Sequence, residues 1–95
     1  TAAEHAEAVW HLYVVHLDRR DRLNETLEAK GIACGMHYPI PLHRQEAFEA
    51  GTRIGGDLAV SERSAARLLS LPIFPEMMDA EIDAVVGAVQ GFARP

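Results

Sequence analysis

From Trp10 to Leu17 apolar residues follow one another with little polar interruption, and most are aromatic or β-branched. That run predicts a strand. Alternation sets Leu12, Val14 and His16 on one face and Tyr13, Val15 and Leu17 on the other. Both faces are largely apolar, so a cover is expected on each side. From Asp18 onward the period lengthens. Asp18 is placed to cap a helix running to about Lys30, with Leu23 and Leu27 on its buried face at i, i+4 spacing. Lys30 suits the negative end of the helix dipole, and Gly31 supplies a left-handed stop. Ile32 to Met36 alternates again and predicts a second strand, with Ile32, Cys34 and Met36 opposite Ala33, Gly35 and His37.

The pattern then breaks. In His37-Tyr-Pro-Ile-Pro-Leu-His43 two prolines at alternate positions remove backbone donors and extend the residues before them. A short helix is expected from about His43 to Ala50, ended by Gly51, followed by a glycine-rich loop to Asp57. Ser61 to Leu69 reads as a helix with Ala65, Leu68 and Leu69 inward. Ser70 to Pro75 reads as a short extended segment bounded by prolines, as edge strands are. Asp79 is placed to cap a last helix whose stripe of Ile82, Val85, Val86, Val89 and Phe92 is the cleanest helical period in the chain. The order predicts an α+β layer, a small sheet with helices packed on one face. Few elements remain to cover the other face of the first strand, so a partner domain or subunit is expected there.

Length and charge narrow the functions. The 95 residues fit one small domain with a modest core. Residues 1–9, rich in alanine and glutamate, read as a linker or frayed segment, and residues 10–95 as the domain. A start at Thr1 in place of methionine is expected of an excised or trimmed segment. The net charge of -5 argues against nucleic acid as a partner. Arg19, Arg20 and Arg22, interleaved with Asp18 and Asp21, read as a solvated helix face. No apolar run approaches the roughly 20 residues of a membrane span, and no signal peptide pattern opens the chain. A single cysteine fits a reducing compartment, so a cytoplasmic location is expected.

The densest chemistry lies between His37 and Gln45, where two imidazoles, a phenol, a guanidinium and an amide share a proline-stiffened loop. Such a loop presents side chains at small ordering cost. Two readings follow from the residues: a substrate-contacting loop, or a strand exit in which Tyr38 packs and the histidines are merely exposed. Gly35 is expected to admit a close approach by a backbone or ligand at the strand end. No metal site is expected, since His37 and His43 stand across two prolines and His11 and His16 point to opposite faces. Cys34 among apolar neighbours reads as a buried, inert thiol. Neither a nucleophile elbow nor a Gly-rich phosphate loop is present.

Several pieces, taken in order, resemble the C-terminal part of the DegT/DnrJ/StrS family of sugar aminotransferases. They are His11-Leu-Tyr-Val-Val, Arg20-Asp21, Lys30-Gly31-Ile32, Gly35-Met-His-Tyr-Pro-Ile-Pro-Leu-His43, Gly56-Asp57, Ser61-Glu62-Arg63 and Leu69-Ser-Leu-Pro-Ile-Phe-Pro75. The resemblance implies a small, mostly antiparallel sheet with helices on one face, as in the small domain of aspartate-aminotransferase-like enzymes. It implies a homodimer that uses pyridoxal phosphate to move an amino group from an amino acid to a keto group of a nucleotide-linked sugar. The Schiff-base lysine, the acid against the pyridine nitrogen and the phosphate cup belong to a preceding large domain, so no cofactor is expected on this chain and it is expected to be inactive alone. His37, Tyr38 and His43 are the residues the resemblance places near the substrate. Two alternatives stay open: a dehydratase or regulatory relative of the same fold, and a free-standing binding module.

Overall fold

Leu23 and Leu27 share one side of helix α1 (Arg20–Glu28) and are fully buried there, as the i, i+4 spacing predicts. Gly31 ends the turn that follows with a φ of 75°, in the left-handed region. The computed structural model describes residues 2–94; Thr1 of the expected linker and Pro95 of the expected domain lie outside the described residues. The remaining elements are strand β1 (Tyr13–His16), a 3-10 turn at Leu42–Arg44, and helices α2 (Glu46–Glu49) and α3 (Ala59–Arg67). Strand β2 (Leu68–Leu71) and helix α4 (Asp79–Ala93) complete the chain.

The two strands pair antiparallel, Tyr13 opposite Leu71 and His16 opposite Leu68, so the class is α+β as expected. Val15 and Leu69 sit opposite one another and face α1 and α4. Leu23, Leu27, Leu69 and Ala88 form the core, with Val15, Leu17, Val89 and Phe92 packed around it.

Several boundaries move for tertiary reasons. Leu68 and Leu69 are not the end of a helix. Leu68 turns extended, with ψ 142°, and both join β2, because pairing with β1 satisfies their backbone and buries their side chains at once. Ile32 to Met36 is not a strand. It keeps its expected alternation, with Ile32, Cys34 and Met36 against the core, but makes only the Gly35–Ser70 bridge. Beyond Ser70 in one direction only Leu71 precedes Pro72, which has no N–H to donate, so the ladder cannot extend that way. The helix expected from His43 to Ala50 is split at Gln45, whose ψ of 136° separates the 3-10 turn from α2. Asp18 does not cap α1. Arg19 holds that position, and the Asp18 carboxylate lies 2.8 Å from Arg67 Nε. Asp79 is the first residue of α4 rather than its cap; Glu81 folds back to accept the Met78 N–H at 2.8 Å.

Arg20 departs from the solvated face expected of the arginine cluster. Its side chain is only 12% exposed. Nη1 donates to the Leu68 carbonyl at 3.2 Å and approaches that of Ala65 at 3.4 Å. One guanidinium thereby fastens α1 to the junction of α3 and β2. Arg19 and Arg22 stay exposed, Arg19 over the Phe92 ring at 4.9 Å.

α1 and α4 cover one face of β1, through Val15 and Leu17, while Val14 and His16 on the other face stay exposed among the described residues, as does Tyr13 at the end of the strand. On α4, Val85 turns inward while Ile82 and Val86 stay exposed. With Tyr13, Ile73 and Phe74 these two residues line an apolar groove of about 460 Å³. The clean apolar stripe of α4 thus serves two surfaces, the core and this groove.

Candidate functional site

The segment from His37 to Arg44 crosses between β2 and α3 and is fastened at both ends. At the first end His37 Nδ1 lies 2.9 Å from Ser70 Oγ, and Ser70 is buried on β2. The Gly35 N–H donates to the Ser70 carbonyl at 3.0 Å and the Ser70 N–H donates back at 2.7 Å. The imidazole rests against Gly35, where a Cβ would stand 2.6 Å from His37 Cε1. The Tyr38 ring meets the His37 ring edge-on, with centroids 5.5 Å apart and planes at 82°. At the other end His43 Nε2 lies 2.9 Å from Glu62 Oε1. Arg44 donates to the same oxygen from Nε at 3.1 Å and from Nη2 at 3.0 Å. Gln45 Nε2 reaches back to the Ile40 carbonyl at 3.2 Å. Between the two fastenings Tyr38, Ile40 and Leu42 stay exposed, at 72%, 50% and 71%.

The His43 hydrogen bond, followed by those from Arg44, holds the Glu62 carboxyl below the usual carboxylate range. A depressed carboxyl stabilises the folded form above its unfolded pKa, and that contribution is lost as pH falls through the folded value. Glu62→Gln is therefore expected to lower the melting temperature at neutral pH and to flatten the acid limb below the ordinary glutamate pKa of about 4.3, so that the variant and the wild type converge as pH falls. An unchanged acid limb in the variant would remove Glu62 as the anchor.

Of the residues expected at the site, His37 and Tyr38 are brought together. His43 stands apart from them, nine-tenths covered and turned toward α3. Tyr38 does not pack in the core of this chain. The space above Gly35 is taken by the Ser70 backbone and by the chain's own His37 ring. Ser70 and Glu62 escaped the sequence reading of the site. The signal for Ser70 was a hydroxyl inside an apolar strand sequence, Leu-Leu-Ser-Leu. Glu62 stood in the Ser61-Glu62-Arg63 piece of the family resemblance, but nothing tied it to the loop until folding placed α3 beside it. Burial, then the nearby Glu28, pushes the Cys34 thiol up, as befits an inert cysteine.

Pyridoxal phosphate attachment needs a lysine held in a pocket with an acid for the ring nitrogen. The one lysine, Lys30, is exposed in the turn after α1, beside Gly31. This chain's own residues do not fit that group.

The family model described as "DegT/DnrJ/EryC1/StrS aminotransferase family" matches residues 1–90. The chain belongs to the DegT/DnrJ/EryC1/StrS aminotransferase family. Within it, the dTDP-3-amino-3,4,6-trideoxy-alpha-D-glucose transaminase of Streptomyces venezuelae is 37% identical over 97% of this chain. The Pleiotropic regulatory protein of Geobacillus stearothermophilus is also 37% identical, over 90% of the chain. The crystal structure of S. venezuelae DesV in complex with a ketimine intermediate superposes on all of this chain with a TM-score of 0.91 at 36% identity. The chain spans about a quarter of these family members: 24% and 23% of the two sequences and 26% of the DesV chain.

Proposed function

We propose that residues 10–95 are the C-terminal small domain, and residues 1–9 the linker, of a homodimeric pyridoxal-phosphate aminotransferase acting on a nucleotide-linked keto sugar. The observation that carries this reading is the loop from His37 to Arg44. It is anchored by Ser70 and Glu62, yet it leaves the imidazole and phenol of its first two residues exposed. Family membership and the high superposition onto DesV support it. The cofactor, held by the rest of the polypeptide, supplies the electron sink for exchanging an amino group. What this chain contributes is positioning. His37 and Tyr38 hydrogen-bond a sugar hydroxyl or a phosphate oxygen, and His43, through Glu62, seats the loop that carries them. The apolar groove of Tyr13, Phe74, Ile82 and Val86 gives the preceding large domain a surface to pack on. No described helix is long and apolar enough to cross a membrane.

The test is steady-state kinetics of the full-length protein, run in reverse with dTDP-3-amino-3,4,6-trideoxy-α-D-glucose as the probe. His37→Ala and Tyr38→Phe are expected to lower kcat/KM by about ten- to a hundredfold, the worth of one hydrogen bond to a charged group. Cofactor content and melting temperature are expected to stay unchanged. Wild-type kinetics in both variants would overturn the reading.

A second reading, a regulatory member without transaminase activity, is favoured by the likeness to the Geobacillus regulatory protein. It predicts no turnover of any amino sugar by a full-length protein that is folded and dimeric.

A further inference from the structure

The exposed imidazole of His37 is held by groups that are themselves buried or have no side chain. Ser70 is 4% exposed and carries the only hydroxyl on β2. Its Oγ reaches His37 Nδ1 at 2.9 Å from within the sheet. A serine hydroxyl both donates and accepts, so it matches whichever role Nδ1 takes. The backbone of Ser70 is tied to Gly35 by two hydrogen bonds and stands in register with Val14, which fixes where the serine side chain starts. The same bridge places Gly35 beneath the ring it leaves room for. Among the described residues no protein group hydrogen-bonds His37 Nε2.

We propose that Ser70 is a positioning residue for His37: with Gly35 clearing the space, the buried hydroxyl holds Nδ1, fixes the rotamer of the ring and leaves Nε2 as the one nitrogen free to meet a ligand oxygen. Ser70 touches no substrate in this scheme. It acts by removing the ordering cost that a free surface imidazole meets on binding. The inference rests on the reading of His37 as a substrate-facing group.

The test uses the full-length holoenzyme labelled with ¹⁵N-histidine and two variants that reach the same ring from opposite sides. Ser70→Ala removes the hydroxyl at nearly constant volume. Gly35→Ala leaves the hydroxyl in place and pushes the ring from below, so a misfolded Ser70→Ala does not end the experiment. In both, the ¹⁵N shifts of Nδ1 and Nε2 are expected to move toward those of a free imidazole. Ser70→Ala is expected to lower kcat/KM for dTDP-3-amino-3,4,6-trideoxy-α-D-glucose by about two- to tenfold, the worth of one neutral hydrogen bond. The double variant with His37→Ala is expected to be no slower than His37→Ala alone. Unchanged nitrogen shifts in both single variants would overturn the proposal, and so would a Ser70→Ala loss that persists undiminished without His37. A silent His37→Ala alongside shifted nitrogen signals would instead overturn the substrate role and leave the hold of Ser70 on the ring established.

Discussion

Replacing Leu69 by alanine is expected to cost about 2–5 kcal/mol of stability, enough to leave the 95-residue chain largely unfolded at room temperature or close to it. Leu69 is wholly buried at the centre of β2, where it meets Leu23, Leu27 and Ala88 from the two covering helices. Truncation removes its transfer energy and leaves a void between elements that strand pairing and helix packing hold apart. Each kcal/mol corresponds to about 4–8 °C in the melting temperature of a domain this size. Val60, exposed on α3, is the control, and Val60→Ala is expected to change stability by under about 0.5 kcal/mol. Urea unfolding of the three proteins followed by circular dichroism decides the matter. A Leu69→Ala midpoint near that of Val60→Ala would show that the core does not sit where the burial places it.

The second large effect is expected at Arg20. Its guanidinium is nearly covered and donates to the Leu68 carbonyl, with the Ala65 carbonyl close by. Alanine removes a charged donor from the carbonyl of the first residue of β2, where the chain leaves α3, at a cost of about 1.5–3 kcal/mol. Lysine is expected to recover little of this, because a single ammonium cannot reach the Asp21 carboxylate and the Leu68 carbonyl at once, as Nε and Nη1 of the planar guanidinium do. Arg22→Ala, on the exposed side of the same helix, is expected to be silent. Equal midpoints for Arg20→Ala and Arg22→Ala would mean that the clamp carries no weight. The same measurement separates two arginines that sequence pattern alone had grouped on one solvated face.

Those cases show where the limits of sequence reading fall. Local signals were sufficient wherever one residue's own chemistry decides its conformation or one element's period decides its buried side. Gly31 stops α1 because it alone tolerates a φ of 75° there. Leu23 and Leu27 are buried because their spacing puts them on one stripe. The prolines at 39 and 41 force the loop out of regular structure, and the motifs around it were enough to point to the family that the comparison then established.

What the tertiary structure decided was pairing at a distance. Leu68 and Leu69 carry no mark that separates a helix end from a strand start; they become strand because β1 lies alongside. Ile32 to Met36 has a strand's alternation and no strand, because one bridge is all the ladder that its neighbour offers before Pro72. The stripe of α4 is apolar in Ile82 and Val86 as much as in Val85, yet only the packing of the helix in the fold decides which of them is buried. The candidate site follows the same rule. His37 and Tyr38 could be read from a short motif, but Ser70 lies 33 residues from His37, and Glu62 19 residues from His43. Their roles exist only because folding closes those intervals to hydrogen-bond length, and a hydrogen bond acts over distances that sequence separation does not encode.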